Sequence, residues 1–314
     1  MGAARLPDVL LAGTPKAGTT SVYEHLVTRP DVVRPTTKEL YFLSLPPERE
    51  PYYPVFDRRD YTAEIHGRDA YQHCFPSKVG MWIDASPVYL YQRGPLKYMN
   101  EWDWRPQVLV VLRDPIVRLE SLFRHLRARS SVVADFDGID GFGRALLGEY
   151  HHLPGRRDLS TRPVLKHSVR HGLYDEWLKR WISVVGESNV HVIVLEEWQA
   201  RESATVSGLE RFLGLPANGR SSPIHANESR DVRSSVVHSL VKGHGSRLPL
   251  RVRKPLRAAY RALNFERRSG SARESIRNTT FGSAVRAELN QVYADVPRNV
   301  SGLVNSPGTE KWLL

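Results

Sequence analysis

Short apolar runs alternate with longer stretches of helical period along this 314-residue chain. The runs are Val9 to Ala12, Met81 to Asp84, Val108 to Leu112 and Val190 to Leu195. Val108-Leu109-Val110-Val111-Leu112 has no polar alternation, the mark of a strand buried on both faces. Between these runs, Thr19 to Val27 and Gly94 to Asn100 predict helices. Pro115 opens another, with Asp114 suited to cap it. Its Leu119, Leu122, Phe123 and Leu126 form one apolar stripe, and Arg118, Ser121 and His125 fall on another face. Val169 to Val185, Thr205 to Leu213 and Ala284 to Tyr293 predict further helices, the last of these closing the fold. Gly214 and Pro216 stop the second of them. Trp177 and Trp181, one turn apart, read as core. Residues 29–59, rich in proline and aromatics, predict irregular structure, and 131–163, without clear period, predict a loop-rich flap. Strands alternating with helices predict an α/β fold in three layers, a central parallel sheet covered by helices on both faces.

The end of the first run carries the most chemistry. Leu10 to Ser21 reads LLAGTPKAGTTS. A strand, a glycine loop and a helix start make an anion cradle, because loop amides and the positive end of the helix dipole converge. The nucleotide-hydrolase loop is G-x-x-x-x-G-K-[ST]. Gly13 and Gly18 keep its glycine separation, but Thr19 stands where its lysine belongs and the lysine has moved to Lys16. That displacement argues against a P-loop kinase. The loop resembles the 5′-phosphosulfate loop of the sulfotransferases, which bind 3′-phosphoadenosine 5′-phosphosulfate (PAPS) and release the 3′,5′-bisphosphate PAP. The same resemblance makes the predicted fold P-loop-like. It implies that Thr14, Pro15, Lys16, Ala17, Gly18, Thr19 and Thr20 surround the 5′ end. In the same family a strand–Arg–helix–Ser unit grips the 3′-phosphate, which implies that role for Arg113 and Ser121.

Further segments are similar to the carbohydrate-type and bacterial branch, which includes heparan sulfate sulfotransferase domains. Thr37-Lys38-Glu39-Leu40-Tyr41-Phe42 resembles a segment whose glutamate is the general base, here Glu39. Lys38 beside it would contact donor or acceptor. Asp84-Ala85-Ser86-Pro87-Val88-Tyr89-Leu90 resembles an acceptor-side element, so Asp84 and Ser86 are candidate substrate contacts. Its place at a strand end suits Asp84 equally to capping a helix. Several relatives have lysine at Ala85, and its loss leaves the acceptor open. His171-Gly172-Leu173-Tyr174, the strand ending at Glu196, and the tail with Leu289, Tyr293 and Trp312 also match. Arg268 and Gly270 resemble, weakly, a late basic loop that reaches the 3′-phosphate. A histidine is the second candidate base, and His125 shares a helix face with Ser121.

Sulfuryl transfer has a loose transition state with charge on the leaving oxygen. Lys16 is the candidate cation for that charge, a task that magnesium commonly performs in phosphoryl transfer. No metal is expected.

Composition narrows the context. Apolar residues are 41% and charged residues 25%, as in a globular enzyme. One cysteine, Cys74, excludes an intramolecular disulfide. The N-terminus enters the first strand without the pattern of a signal peptide, and no apolar stretch is long enough to span a bilayer. A cytoplasmic protein is the expectation. The net charge is +11, and thirteen Lys and Arg against three Asp and Glu fall between Arg230 and Asn278. Within that segment Pro255 to Leu263 resembles a basic amphipathic helix. Two readings stay open: a charged segment flanking the nucleotide site, and peripheral contact with an anionic membrane. Nucleic acid ranks last, since no binding module accompanies the charge.

The chain reads as a single domain, 1–314, with 229–280 as its basic segment. The leading expectation is sulfuryl transfer from PAPS to a hydroxyl, and second to an amine, of a carbohydrate, glycolipid or small metabolite. The alternatives are a P-loop kinase and a non-catalytic module binding nucleotide or anionic lipid.

Overall fold

A computed structural model describes residues 5–53, 61–129, 133–154, 165–200, 202–217 and 279–304, together with Leu159, Arg162, Thr309 and Trp312. The four predicted strands form, and a two-residue strand joins them. In chain order they are β1 (Val9–Gly13), β2 (Val32–Val33), β3 (Met81–Asp84), β4 (Gln107–Leu112) and β5 (Val190–Val194). They pair in the order β2-β3-β1-β4-β5, and every pairing is parallel. All five carboxyl ends therefore lie along one edge.

Among the described residues the helices are α1 (Thr19–Val27), the single turn α2 (Ala63–His66), α3 (Gly94–Glu101), α4 (Pro115–Arg129) and α5 (Gly138–Tyr150). They continue with α6 (Tyr174–Val185), α7 (Leu195–Ala200), α8 (Glu202–Leu213), α9 (Ser283–Tyr293) and α10 (Val296–Val304). Alternate strand residues feed opposite cores, as the two-residue period of a strand requires. Val9, Leu11, Leu109, Val111 and Ile193 pack with Val22 and Leu26 of α1, Trp198 of α7 and Leu209 of α8. Leu10, Ala12, Val108, Val110, Leu112 and Val194 pack with Leu119 and Phe123 of α4, Phe142 of α5, Trp177 and Trp181 of α6 and Leu289 of α9. Helices thus cover both faces, as the sequence predicts, and Trp177 and Trp181 are core.

Three expectations change. Residues 131–163 hold a thirteen-residue helix, α5, rather than only a loop-rich flap. Its glycines hide the period. A glycine inside a helix costs about 1 kcal/mol, and Gly141, Gly143 and Gly148 lie within α5. Burial of Ile139, Phe142, Leu146 and Leu147 contributes about 2 kcal/mol per side chain, so packing outweighs propensity. Gly143 also permits close contact with α9, because a Cβ there would lie 2.5 Å from Val285 Cγ1. Ala284 to Tyr293 is not the closing helix, since α10 follows and buries Val296 and Val300. The irregular region after Arg29 contains the edge strand β2, too short for any periodicity to register. The basic segment with Pro255 to Leu263, Arg268 and Gly270 lies outside the described residues.

Candidate active site

The cradle follows β1. Thr14 N–H donates to Val111 O at 2.9 Å, and Ala17 N–H closes a turn on Thr14 O at 3.1 Å. The β1–β4 register shifts after Leu11, where the chain leaves the sheet. Lys16 (φ 72°) and Gly18 (φ 85°) take left-handed backbone. Gly18 is required on two counts: its dihedral favours glycine, and a Cβ would sit 2.5 Å from Leu195 Cδ1. Gly18 is the N-cap of α1, where no side chain caps the helix. Ser21 N–H donates to Gly18 O at 2.9 Å, while the amides of Thr19 and Thr20 precede the first bond of the helix, so the start of α1 presents donors and positive dipole to an anion. Thr14, Ala17 and Thr19 are buried, while Pro15, Lys16, Gly18 and Thr20 are half-buried.

Arg113 stands beyond β4, the strand adjacent to β1. Its carbonyl accepts from the Tyr174 hydroxyl at 2.8 Å. Its Nε is buried with no partner among the described residues. A guanidinium N–H so placed is costly unless a ligand oxygen meets it, which fits the bisphosphate that the sequence implies. Asp114 caps α4: Oδ1 accepts from Ile116 N–H at 2.8 Å and Val117 N–H at 3.0 Å. Glu196, at the start of α7 after β5, accepts from Asp114 N–H at 3.2 Å and from Trp312 Nε1–H at 3.3 Å, tying the tail to this edge. On α4, Ser121 and His125 are half-buried. Arg118 is instead turned into the core, 3% exposed, where it donates to Ser168 O at 2.6 Å.

The opposite side is a turn after β2. Lys38 Nζ donates to Thr20 Oγ1 at 2.8 Å, which brings residues 38–39 to the cradle. Burial pushes the Lys38 ammonium below its ordinary pKa, against the pull of Glu39 and Glu24. Glu39 (φ 59°) and Tyr41 (φ 52°) are both left-handed, and the Tyr41 hydroxyl donates to Glu39 Oε2. Such non-glycine conformations persist only where their surroundings hold them, and they collect at functional sites.

Asp84 and Ser86, expected at the acceptor, are 0% exposed. Asp84 Oδ1 accepts from Ser86 Oγ at 2.7 Å, and Oδ2 accepts from Tyr71 OH at 2.5 Å and Tyr89 OH at 3.2 Å. Burial pushes the Asp84 carboxyl up to about 6, against those hydroxyl donors, with Glu39 adding to the rise. Neither side chain presents a surface to solvent. Asp84 does not cap a helix either.

Sequence reasoning missed Tyr41 and Tyr89 as parts of this edge, whereas Glu196 lies at the strand end where the sequence places it. A left-handed backbone at Glu39 leaves no sequence signal. The hydroxyl of Tyr41 could have been weighed, since it lies two residues from the candidate base.

The sulfotransferase domain model of protein families matches residues 6–240, well over half of the chain. The chain belongs to the sulfotransferase domain family. It is 21% identical over 211 residues to the bifunctional heparan sulfate N-deacetylase/N-sulfotransferase 1 of Caenorhabditis elegans, covering 67% of this chain and 22% of that protein. It is 24% identical over 247 residues to carbohydrate sulfotransferase 15 of Mus musculus, covering 67% of this chain and 44% of that protein. The chain thus spans less than half the length of these curated relatives. Among solved structures, a sulfotransferase from Alicyclobacillus acidocaldarius superposes with a TM-score of 0.52 at 24% identity, covering 88% of this chain and all of that one. That similarity supports the P-loop-like α/β fold. Among the described residues no helix is long and apolar enough to cross a membrane.

Proposed function

We propose that this chain transfers the sulfuryl group of PAPS to a hydroxyl, and second to an amine, of a carbohydrate, glycolipid or small-molecule acceptor. One observation carries the reading. The cradle and Arg113 leave adjacent parallel strands at the same sheet edge, with Thr14 bonded onto β4 two residues before Arg113. A cation-bearing loop and a buried guanidinium N–H with no partner among the described residues, side by side, suit one ligand with phosphates at both ends.

In this reading Lys16, the first-turn amides of α1 and the hydroxyls of Thr19 and Thr20 hold the 5′ end, and Arg113 and Ser121 hold the 3′-phosphate. PAPS supplies an activated sulfuryl group. As the acceptor oxygen bonds to sulfur, the bond from sulfur to the bridging phosphate oxygen breaks, and Lys16 neutralises the charge left there. Glu39 accepts the acceptor's proton. Glu39 is favoured over His125 because its neighbour Lys38 reaches Thr20 of the cradle. His125 lies about 15 Å along α4 from its first residue, at 1.5 Å of rise per residue.

Binding of 3′,5′-ADP, measured by calorimetry against ATP with magnesium, tests the nucleotide assignment. Preference for 3′,5′-ADP is expected, and preference for ATP rejects the reading.

A further inference from the structure

Two hydroxyls connect the buried carboxylate of Asp84 to the turn that carries Glu39. Ser86 Oγ donates to Asp84 Oδ1 at 2.7 Å and accepts from Tyr41 N–H at 3.2 Å. Tyr89 OH donates to Asp84 Oδ2 at 3.2 Å and accepts from Leu43 N–H at 3.0 Å. A hydroxyl offers one donor and accepts through its lone pairs. With the donor of each committed to a carboxylate, its oxygen is oriented to receive an amide. The two amides so held, 41 and 43, are alternate residues of one turn. A third hydroxyl, from Tyr71, fills the remaining capacity of Asp84 Oδ2 at 2.5 Å.

The pattern continues beyond Asp84. Leu45 N–H donates to Glu50 Oε1 at 3.3 Å, and Glu50 also accepts from Gly94 N–H at 2.9 Å. Ser44 Oγ donates to Gln92 Oε1 at 2.7 Å. The turn is therefore held by side chains of 86–92, by Glu50 and by Ala63 N–H, which donates to Phe42 O at 2.7 Å, rather than by a strand partner. Tyr41, whose amide Ser86 fixes, then directs its own hydroxyl to Glu39 Oε2.

We infer that Asp84 is a positioning residue for Glu39: through Ser86 and Tyr89 it fixes the 39–43 turn, and through Tyr41 the turn aims the Glu39 carboxylate. The inference rests on the reading of Glu39 as the base. It moves Asp84 and Ser86 from substrate contact to the support beneath the base. The left-handed backbone at Glu39 and Tyr41 gives the support its purpose, since an unsupported turn relaxes to commoner dihedrals.

The test uses the full chain and four variants: Ser86→Ala, Ser86→Thr, Asp84→Asn and Tyr41→Phe. Crystal structures give the first readout. Ser86→Ala removes the oxygen that holds the Tyr41 amide, and the Glu39 carboxylate is expected to move by about 1 Å or more while Thr14 to Thr20 stay in place. Ser86→Thr keeps the hydroxyl and restores the position. A Glu39 that superposes in Ser86→Ala and in Tyr41→Phe overturns the inference, even if Asp84→Asn fails to fold. The second readout is PAP formation from PAPS with water as the probe acceptor. Ser86→Ala and Tyr41→Phe are expected to lower kcat by about 10- to 100-fold with KM for PAPS unchanged, in line with the cost of an ångström of misplacement. If Glu39→Gln retains the wild-type rate, the base assignment fails on its own. A moved carboxylate in the structures would still stand.

Discussion

The cradle at 13–20 and the turn at 37–45 carry the two groups proposed for donor and acceptor, and they are built from different materials. The cradle is local. Its amides, its glycines and the start of α1 lie within eight residues, and the sheet holds it through Thr14 and Val111. The turn is assembled at a distance. Its amides at 41, 43 and 45 are satisfied by Ser86, Tyr89 and Glu50, and the carboxylate behind two of those bonds, Asp84, is wholly buried. A local site needs only its own residues to be correct, whereas an assembled one needs a packed core beneath it. The nucleotide side should therefore tolerate changes in the core that the acceptor side does not.

Lys16→Ala is the largest break in that comparison. The cradle keeps its backbone and loses its cation. Removing one preorganised charge-stabilising donor costs about a thousandfold in rate. In PAPS turnover assays kcat should fall by about that factor, with the melting temperature unchanged because Lys16 is half-buried and outside both cores. Turnover at the wild-type rate rejects Lys16 as the cation for the leaving group.

The next effect belongs to Asp84. Its carboxyl sits near 3.8 when unfolded and about 6 when folded, raised by burial. A raised carboxyl favours the protonated fold. Its contribution to stability is complete below pH 4 and is lost as pH climbs through 6. Two pKa units correspond to about 3 kcal/mol. Unfolding free energies from denaturant titration, wild type minus Asp84→Asn, followed from pH 4 to pH 7, should fall by about that amount. A flat difference means the carboxyl is not raised and the burial argument is wrong. The cradle has no buried carboxylate among its described residues, so Lys16→Ala should show the wild-type slope.

This contrast governs what the sequence reveals. β1, α1 and the first loop follow from their own residues, and the observed bounds Thr19–Val27 match the prediction because Gly18 fixes the start. β4 and the Asp114 cap are equally local. Glu39 is findable only by resemblance, since nothing in Thr37 to Phe42 predicts two left-handed residues. Asp84 is visible as a polar residue at a strand end, yet its burial beneath Tyr71 and Tyr89 depends on contacts 5 to 13 residues away. α5 is obscured because its Gly143 serves a neighbour, Val285 of α9, 142 residues later.

The smallest predicted effect isolates the local side. Asp114→Ala removes the acceptor of Ile116 N–H and Val117 N–H at the start of α4. Loss of an N-cap carboxylate costs about 1 kcal/mol. The backbone N–H of residue 114 keeps Glu196 as its partner, and Arg113 remains anchored by its carbonyl to Tyr174. Affinity for 3′,5′-ADP should therefore hold within about twofold while the denaturant midpoint falls. Removing the negative charge also leaves Arg113 and the dipole of α4 more positive toward an anion, which offsets part of any loss from fraying. A tenfold loss of affinity would mean that the cap, and not the strand, places Arg113, and the local account of the donor side would have to include α4.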